Sequence, residues 1–309
     1  MQNAPTSQPI IFTSLLIGLI AVSFSAIFIE WSNAPAAIIG MYRLWMSVIL
    51  FLPLAWKKRR EFRQLSGKDI LLLLLSGCFL GLHFLFWIQS LKETSVASSL
   101  IIISLEPMFV LIGAVLCFHE RVKLRPVLCM AIAILGCALV ASADFGQGGH
   151  HFYGDFLSFI GTMAVSVYML AGQRVRKTVS GTTYNVLVFF IAGFVLFIFN
   201  VATRTSLVAY NGRNWLLFAL LAVVSTVLGH GLFNWLLNSV SATTVAMTIL
   251  GEPIGAIILA YFLLGQPIDV IQALGGGICL VSVFWFLRLK QSNDTNHKHY
   301  PPGEETQPA

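Results

Sequence analysis

Apolar residues run along this chain in solid blocks separated by short polar segments. Ten blocks can be drawn, at roughly residues 10–29, 34–56, 70–91, 96–118, 124–143, 154–173, 183–203, 215–238, 242–264 and 268–289. About 20 apolar residues cross a hydrocarbon layer as a helix, and a membrane β-barrel would alternate apolar and polar positions instead. The pattern predicts an all-α integral membrane protein with ten transmembrane helices. Residues 291–309 are polar and are expected to form a disordered cytoplasmic tail.

Composition supports the same class. The chain has 309 residues, 57% hydrophobic and 10% charged, with mean hydropathy +0.82. Soluble domains carry about a quarter charged residues. All five cysteines (Cys78, Cys117, Cys129, Cys137, Cys279) fall in apolar blocks without zinc-ligand spacing, so they read as packing residues. No basic residue precedes the first block, which argues against a cleaved secretory signal.

The net charge of +6 is a topology signal and not a nucleic-acid patch. With a cytoplasmic N-terminus, fifteen of the nineteen Lys and Arg residues face the cytoplasm, among them Lys57 to Arg60, Arg174, Arg176 and Arg288. Only Lys92, Arg204 and Arg213 lie outside, and Arg43 is within the second block. Basic residues favour the cytoplasmic side, so both termini are expected there, in a multi-pass protein of the cell membrane.

Three co-linear matches suggest duplication. Glu106-Pro107 and Glu252-Pro253 are 146 positions apart. Gly18 to Ser23 resembles Gly161 to Ser166, offset by 143, and His83 has His230 at an offset of 147. Residues 1–145 and 146–290 therefore read as two five-helix repeats. Five is odd, so the second enters the membrane upside down, an arrangement that places a solute site near the midplane.

These motifs carry a family resemblance over about residues 10–290. Glu106-Pro107 is followed thirteen residues after the proline by Glu120, and Glu252-Pro253 at the same spacing by Gln266. Arg43 lies in the second helix, in Met41-Tyr42-Arg43-Leu44. In this order they resemble the ten-helix EamA-type transporters of the drug/metabolite transporter superfamily. The resemblance implies a ten-helix basket, alternating access and, often, export of amino acids or other metabolites. Two positions depart from it: the family often has an acid at Gln266, and often a tryptophan near Phe24.

Several residues can carry chemistry. Pro107 and Pro253 remove a backbone donor and crowd the carbonyls of Ile103 and Ile249. Both are candidate helix breaks, either static kinks or the lining of a cavity. Arg43, Glu106 and Glu252 are charges at bilayer depth, where placement costs at least about 2.5–3.5 kcal/mol. Arg43 and Glu106 share a depth of roughly 14–15 Å, so an Arg43–Glu106 ion pair is expected. Glu252 lacks such a partner. A carboxyl away from water favours its neutral form, so Glu252 is a candidate proton site, with a neutral packing role as the alternative. Ser76, His83, Trp87 and Ser90 form one polar stripe, and Thr226, His230, Asn234 and Asn238 another. His83, Trp87, His230 and Asn234 are candidate solute ligands, with Phe24 and Tyr168 as aromatic walls. The run Gly275-Gly276-Gly277 and small residues of the first and sixth blocks allow close helix approach.

Three function classes follow. A secondary transporter fits the repeat and the stripes. A membrane-embedded enzyme using His83, His230 and the glutamates would want three convergent ligands for a metal, and no HExxH motif is present. A channel would be expected to show a charged ring or filter segment. No GxxxxGK[ST] motif occurs, which argues against direct ATP drive. The partners implied are a small-molecule solute, membrane lipid and a proton as candidate coupling ion. A homodimer stays open, and no cofactor, metal or nucleic acid is called for.

Overall fold

Backbone polar groups in hydrocarbon must be satisfied internally, and helices do this within one segment. The computed structural model describes residues 8–118, 124–145, 149–236, 248–249 and 251–298, and every regular element among them is helical. In order these are α1 (Gln8–Glu30), α2 (Ala36–Lys57), α3 (Arg59–Phe62), α4 (Gly67–Glu93), α5 (Val96–Ile103), α6 (Glu106–Phe118) and α7 (Leu124–Phe145). There follow α8 (Gly149–Val175), α9 (Gly181–Ala202), α10 (Gly212–Leu220), a π-helical segment (Leu221–Gly231), α11 (Leu232–Leu236), α12 (Glu252–Leu264) and α13 (Val270–Lys298). Among the described residues, six helices are long and apolar enough to cross a membrane, and four apolar helices are shorter. Large apolar side chains stand in the open along them, Phe12 at 70% exposure and Phe262 at 76%. Soluble monomers rarely display so much apolar surface, whereas lipid wets it.

The helix starts are written locally. Ser66 and Asp69 form a capping box on α4, with Asp69 N–H donating to Ser66 Oγ at 3.1 Å. Ser95, Ser180 and Asn211 cap α5, α9 and α10 more simply, each side chain accepting from the N–H three residues on.

Three features differ from the sequence expectation. The block at 96–118 is two helices, because the turn at Ser104–Leu105 separates α5 from α6. Proline is tolerated in a first helical turn, and Pro107 and Pro253 both sit there, at the starts of α6 and α12. The block at 215–238 widens into π geometry, with Thr226 Oγ1 donating to the Leu221 carbonyl five residues back. The tail expected to be disordered from residue 291 continues α13 as far as Lys298. No proline or glycine interrupts an already formed helix there, and water can satisfy its outer carbonyls. Residues 242–247, Asn238 and Glu120 lie outside the described residues.

Packing is pairwise regular. α4 lies on α8, and the π segment lies on α1. α6 lies on α8, and α12 on α1. α4 meets α9, and the π segment meets α2. Two further pairs, α2 with α9 and α7 with α13, complete the bundle. At the last interface helix backbones touch. A Cβ on Gly136 would stand 2.7 Å from the Gly275 carbonyl and 2.8 Å from the Cys279 amide. Cys137 and Cys279 are buried side by side, with Sγ atoms 3.5 Å apart.

One end of the bundle is clasped by carboxylates. Glu61 of α3 accepts hydrogen bonds from the Ser180 N–H, from Ser180 Oγ at 2.6 Å and from Thr183 Oγ1 at 2.7 Å. Asp69 Oδ1 accepts from Thr178 Oγ1 at 2.7 Å. Partial burial is the largest influence on Glu61 and raises its pKa. The Ser180 and Thr183 hydrogen bonds, with Lys58 nearby, together outweigh it and hold the carboxyl below its usual range.

Two outcomes follow. Gly136→Ala places a methyl against backbone that cannot rotate away, so thermal melts in detergent should show a loss of about 1–3 kcal/mol, the cost of overpacking. Gly277→Ala meets nothing within 4 Å and should melt like the parent. Equal melts for all three proteins would refute the close contact. For Glu61 the folded-state pKa is depressed. Its contribution is therefore present above the unfolded value of about 4.3 and is lost as pH falls through the lower folded value. Glu61→Gln should flatten that acid limb of the melting curve, and an unchanged limb would place the acid sensitivity elsewhere.

Candidate solute-binding site

A guanidinium keeps its charge even where water is scarce. Arg43 of α2 is 1% exposed. Its Nε donates to Thr226 Oγ1 at 3.0 Å and its Nη1 to Ser25 Oγ at 2.8 Å. The cation lies 4.7 Å from the Phe84 ring centre and 5.9 Å from that of Trp87, within cation–π range. α1, α2, α4 and the π segment thus converge on one charge. The two hydrogen bonds use two of the five N–H donors of the group.

His83 and Trp87 stand on the same face of α4. Their rings stack at 5.7 Å with 10° between planes. His83 Nδ1 is 2.9 Å from the Gly161 carbonyl of α8. A carbonyl can only accept, so Nδ1 carries the proton and Nε2 of the neutral ring is an acceptor. Trp87 is 5% exposed, and its indole Nε1–H is buried without a hydrogen-bond partner among the described residues. A buried donor left unpaired costs about 1–3 kcal/mol. Its placement beside Arg43 offers that donor to an acceptor atom brought by a ligand.

The second polar stripe reaches the same place through His230. Its surface is exposed, and it stands within electrostatic reach of Arg43 and His83. Asn234 lies on the backbone of α11, and its side chain is outside the described residues. The aromatic candidates are spread more widely. Phe24 stacks on Phe28 at 5.5 Å along α1. Tyr168 stacks on Tyr184 at 6.3 Å, and Ser76 bonds both, donating to the Tyr168 carbonyl and meeting the Tyr184 hydroxyl at 2.7 Å.

The expected Arg43–Glu106 ion pair is absent among the described residues, and the carboxyl that interacts electrostatically with Arg43 is Glu252. Equal depth does not make two helices neighbours: α6, which Glu106 begins, packs on α8, while α2 packs on α9, α4 and the π segment. Glu106 instead interacts with Glu252. The two Glu-Pro starts are held alike. Ser166 Oγ reaches the Glu106 carbonyl at 3.4 Å, and Ser23 Oγ the Glu252 carbonyl at 3.5 Å. Each serine also bonds the carbonyl four residues before it, at 2.8 Å in both cases.

Phe84 and the Arg43–Glu252 coupling carry no mark in the sequence, and Ser25 reads there only as a small residue allowing close helix approach. Phe84 adjoins His83, and Ser25 looks like one small residue among many. Nothing in the spacing of either announces a contact to Arg43.

A family model described as the EamA-like transporter family matches residues 9–142 and again 152–288. The chain belongs to the EamA-like transporter family. Its relatives include an uncharacterized transporter of Archaeoglobus fulgidus, 23% identical over 73% of this chain and 80% of the relative. Uncharacterized transporter YxxF of Bacillus subtilis is 22% identical over 84% of each chain. Uncharacterized transporter YetK of the same organism is 24% identical over 97% of this chain and 88% of its own. A solved crystal structure covers 94% of this chain and 99% of its own at TM-score 0.60 and 12% identity, a likeness of fold. As an EamA-like transporter the protein is a multi-pass membrane protein, and the aromatic and polar cluster around Arg43 belongs to a transport fold.

Proposed function

We propose that this EamA-like transporter is a secondary exporter of small amphipathic metabolites such as amino acids, working by alternating access in the cell membrane. The observation that carries the reading is the buried Arg43 beside the unpartnered Trp87 N–H. A carboxylate or other acceptor on the solute would take both, with the Trp87 and Phe84 rings against its apolar part. His83 Nε2 and His230 supply further polar contacts, Asn234 completes the second stripe, and Phe24 and Tyr168 line the approaches. The mechanism takes 1–145 and 146–290 as two inverted five-helix units, ten spans in all, and matched contacts support that reading. Exchanging the units turns the α4–α8 contact into that of the π segment with α1, and the Ser166–Glu106 contact into Ser23–Glu252. Both termini are cytoplasmic by the distribution of basic residues, which puts the Glu61 clasp inside. Glu252 is the proton-coupling group. It begins a helix at the midplane and interacts with Arg43, so its charge state alters the balance at the solute site.

Metabolite profiles of cells overproducing the protein, against cells lacking it, should reveal the exported class, and the compound found is then the substrate for proteoliposome assays. Trp87→Phe keeps a ring but removes the N–H. It should raise KM about tenfold, the loss of one hydrogen bond to a charged acceptor, with little change in kcat. An unchanged KM would remove Trp87 from the binding site. Glu252→Gln should keep solute binding and counterflow exchange while abolishing stimulation by a proton gradient. Gradient-driven transport with the parent pH profile in that variant would make Glu252 a packing residue.

A further inference from the structure

At the end of the bundle opposite the Glu61 clasp there is a cavity of about 580 Å³, lined among others by Glu30, Lys92, Glu93, His151, Asp269 and Gln272. Its volume falls in the range of small-molecule sites, roughly 300–1,000 Å³. Three of these residues are carboxylates and one is a lysine, so the walls attract cations. Most of the charged groups are already engaged. Lys92 Nζ donates to the Ser32 carbonyl at 2.8 Å, Glu93 Oε1 accepts from Gln89 Nε2 at 2.8 Å, and Asp269 Oδ1 accepts from the Ile271 N–H at 2.7 Å. Glu30 is the exception. Its Oε1 is buried without a hydrogen-bond partner among the described residues, as is His151 Nδ1. Lys92 interacts with Glu30 electrostatically, but its ammonium donates to the Ser32 carbonyl and not to Glu30 Oε1.

We infer that this cavity is a second solute site, a vestibule that binds the primary ammonium group of an organic amine or amino acid, with Glu30 as the acceptor. A buried acceptor oxygen requires an N–H or O–H donor, so a primary ammonium satisfies it and a quaternary one does not. An anion would meet the wrong sign of charge on the walls. The vestibule is separate from the Arg43 site, and its ligand chemistry is the complement of what Arg43 and Trp87 receive.

The test uses the full chain in nanodiscs carrying Ile268→Cys, a position that lines the cavity and is 44% exposed, labelled with a membrane-impermeant maleimide. n-Butylammonium should slow labelling in a saturable manner, while tetramethylammonium and n-butyrate should not. Glu30→Gln keeps an acceptor oxygen but loses the negative charge that strengthens its bond to an ammonium, and should raise the half-protecting concentration about tenfold. Lys92→Met, which removes the lysine from the cavity wall, should lower it, and this variant decides the matter if Glu30→Gln does not fold. Trp87→Phe should protect like the parent, so failure of the central-site reading and failure of this one are distinguishable. Equal protection by all three probes, no protection by n-butylammonium, or an unchanged half-protecting concentration in Lys92→Met would overturn the inference.

Discussion

A charge that cannot be neutralised, set where water is scarce, dictates the arrangement around it. Arg43 cannot be neutralised, as a lysine can by losing a proton or a glutamate by gaining one. The bundle therefore has to bring hydroxyls, ring faces and an opposing carboxyl to it. Ser25 and Thr226 accept its N–H groups, Phe84 and Trp87 face the cation, and Glu252 supplies the countercharge at longer range. These groups come from α1, α4, the π segment and α12. One side chain on α2 thus draws together helices from both ends of the sequence, and removing it would take away the N–H groups that Ser25 and Thr226 accept.

The second organising demand is on the backbone. A membrane helix that stops mid-way leaves carbonyl and amide groups that lipid cannot satisfy. α6 and α12 begin inside apolar blocks of the sequence, each with a Glu-Pro pair and each with a serine hydroxyl from a neighbouring helix on the glutamate carbonyl. A glycine on α12 makes the reach of Ser23 possible. A Cβ on Gly255 would lie 2.4 Å from Ser23 Oγ, so the helices are as near as they can be where the hydroxyl has to work.

How much of this was legible depended on the range of the interaction. Hydrophobic blocks are a local property, and the described helices fall within a few residues of them, apart from the break before Glu106, the start of α12 at Glu252 and the run-on of α13. The helix break itself follows from proline chemistry, which is also local. Partners across the bundle are not. The depth of Arg43 could be counted from its block, but the azimuth of each helix could not, and that decides between Glu106 and Glu252. The stripe of Thr226 and His230 was visible at a spacing of four, whereas the change from α to π bonding depends on neighbours. Ser23 and Ser166 were written in matching hexapeptides, yet their target carbonyls are 229 and 60 positions away.

The π-helical segment has a mechanical meaning. An α-helix bonds each amide four residues back, and Leu221–Gly231 bonds five back. The two patterns differ in pitch and in residues per turn, so exchanging one for the other is a screw motion. A stretch of eleven residues that tightened to α geometry would lengthen and rotate everything beyond it about the same axis, with its hydrogen bonds exchanged rather than abandoned. His230 stands near the end of that stretch and Thr226 at its middle. A screw of this kind would turn the imidazole about the axis while drawing the hydroxyl away from Arg43, coupling torsion in one helix to the unlocking of a charge on another.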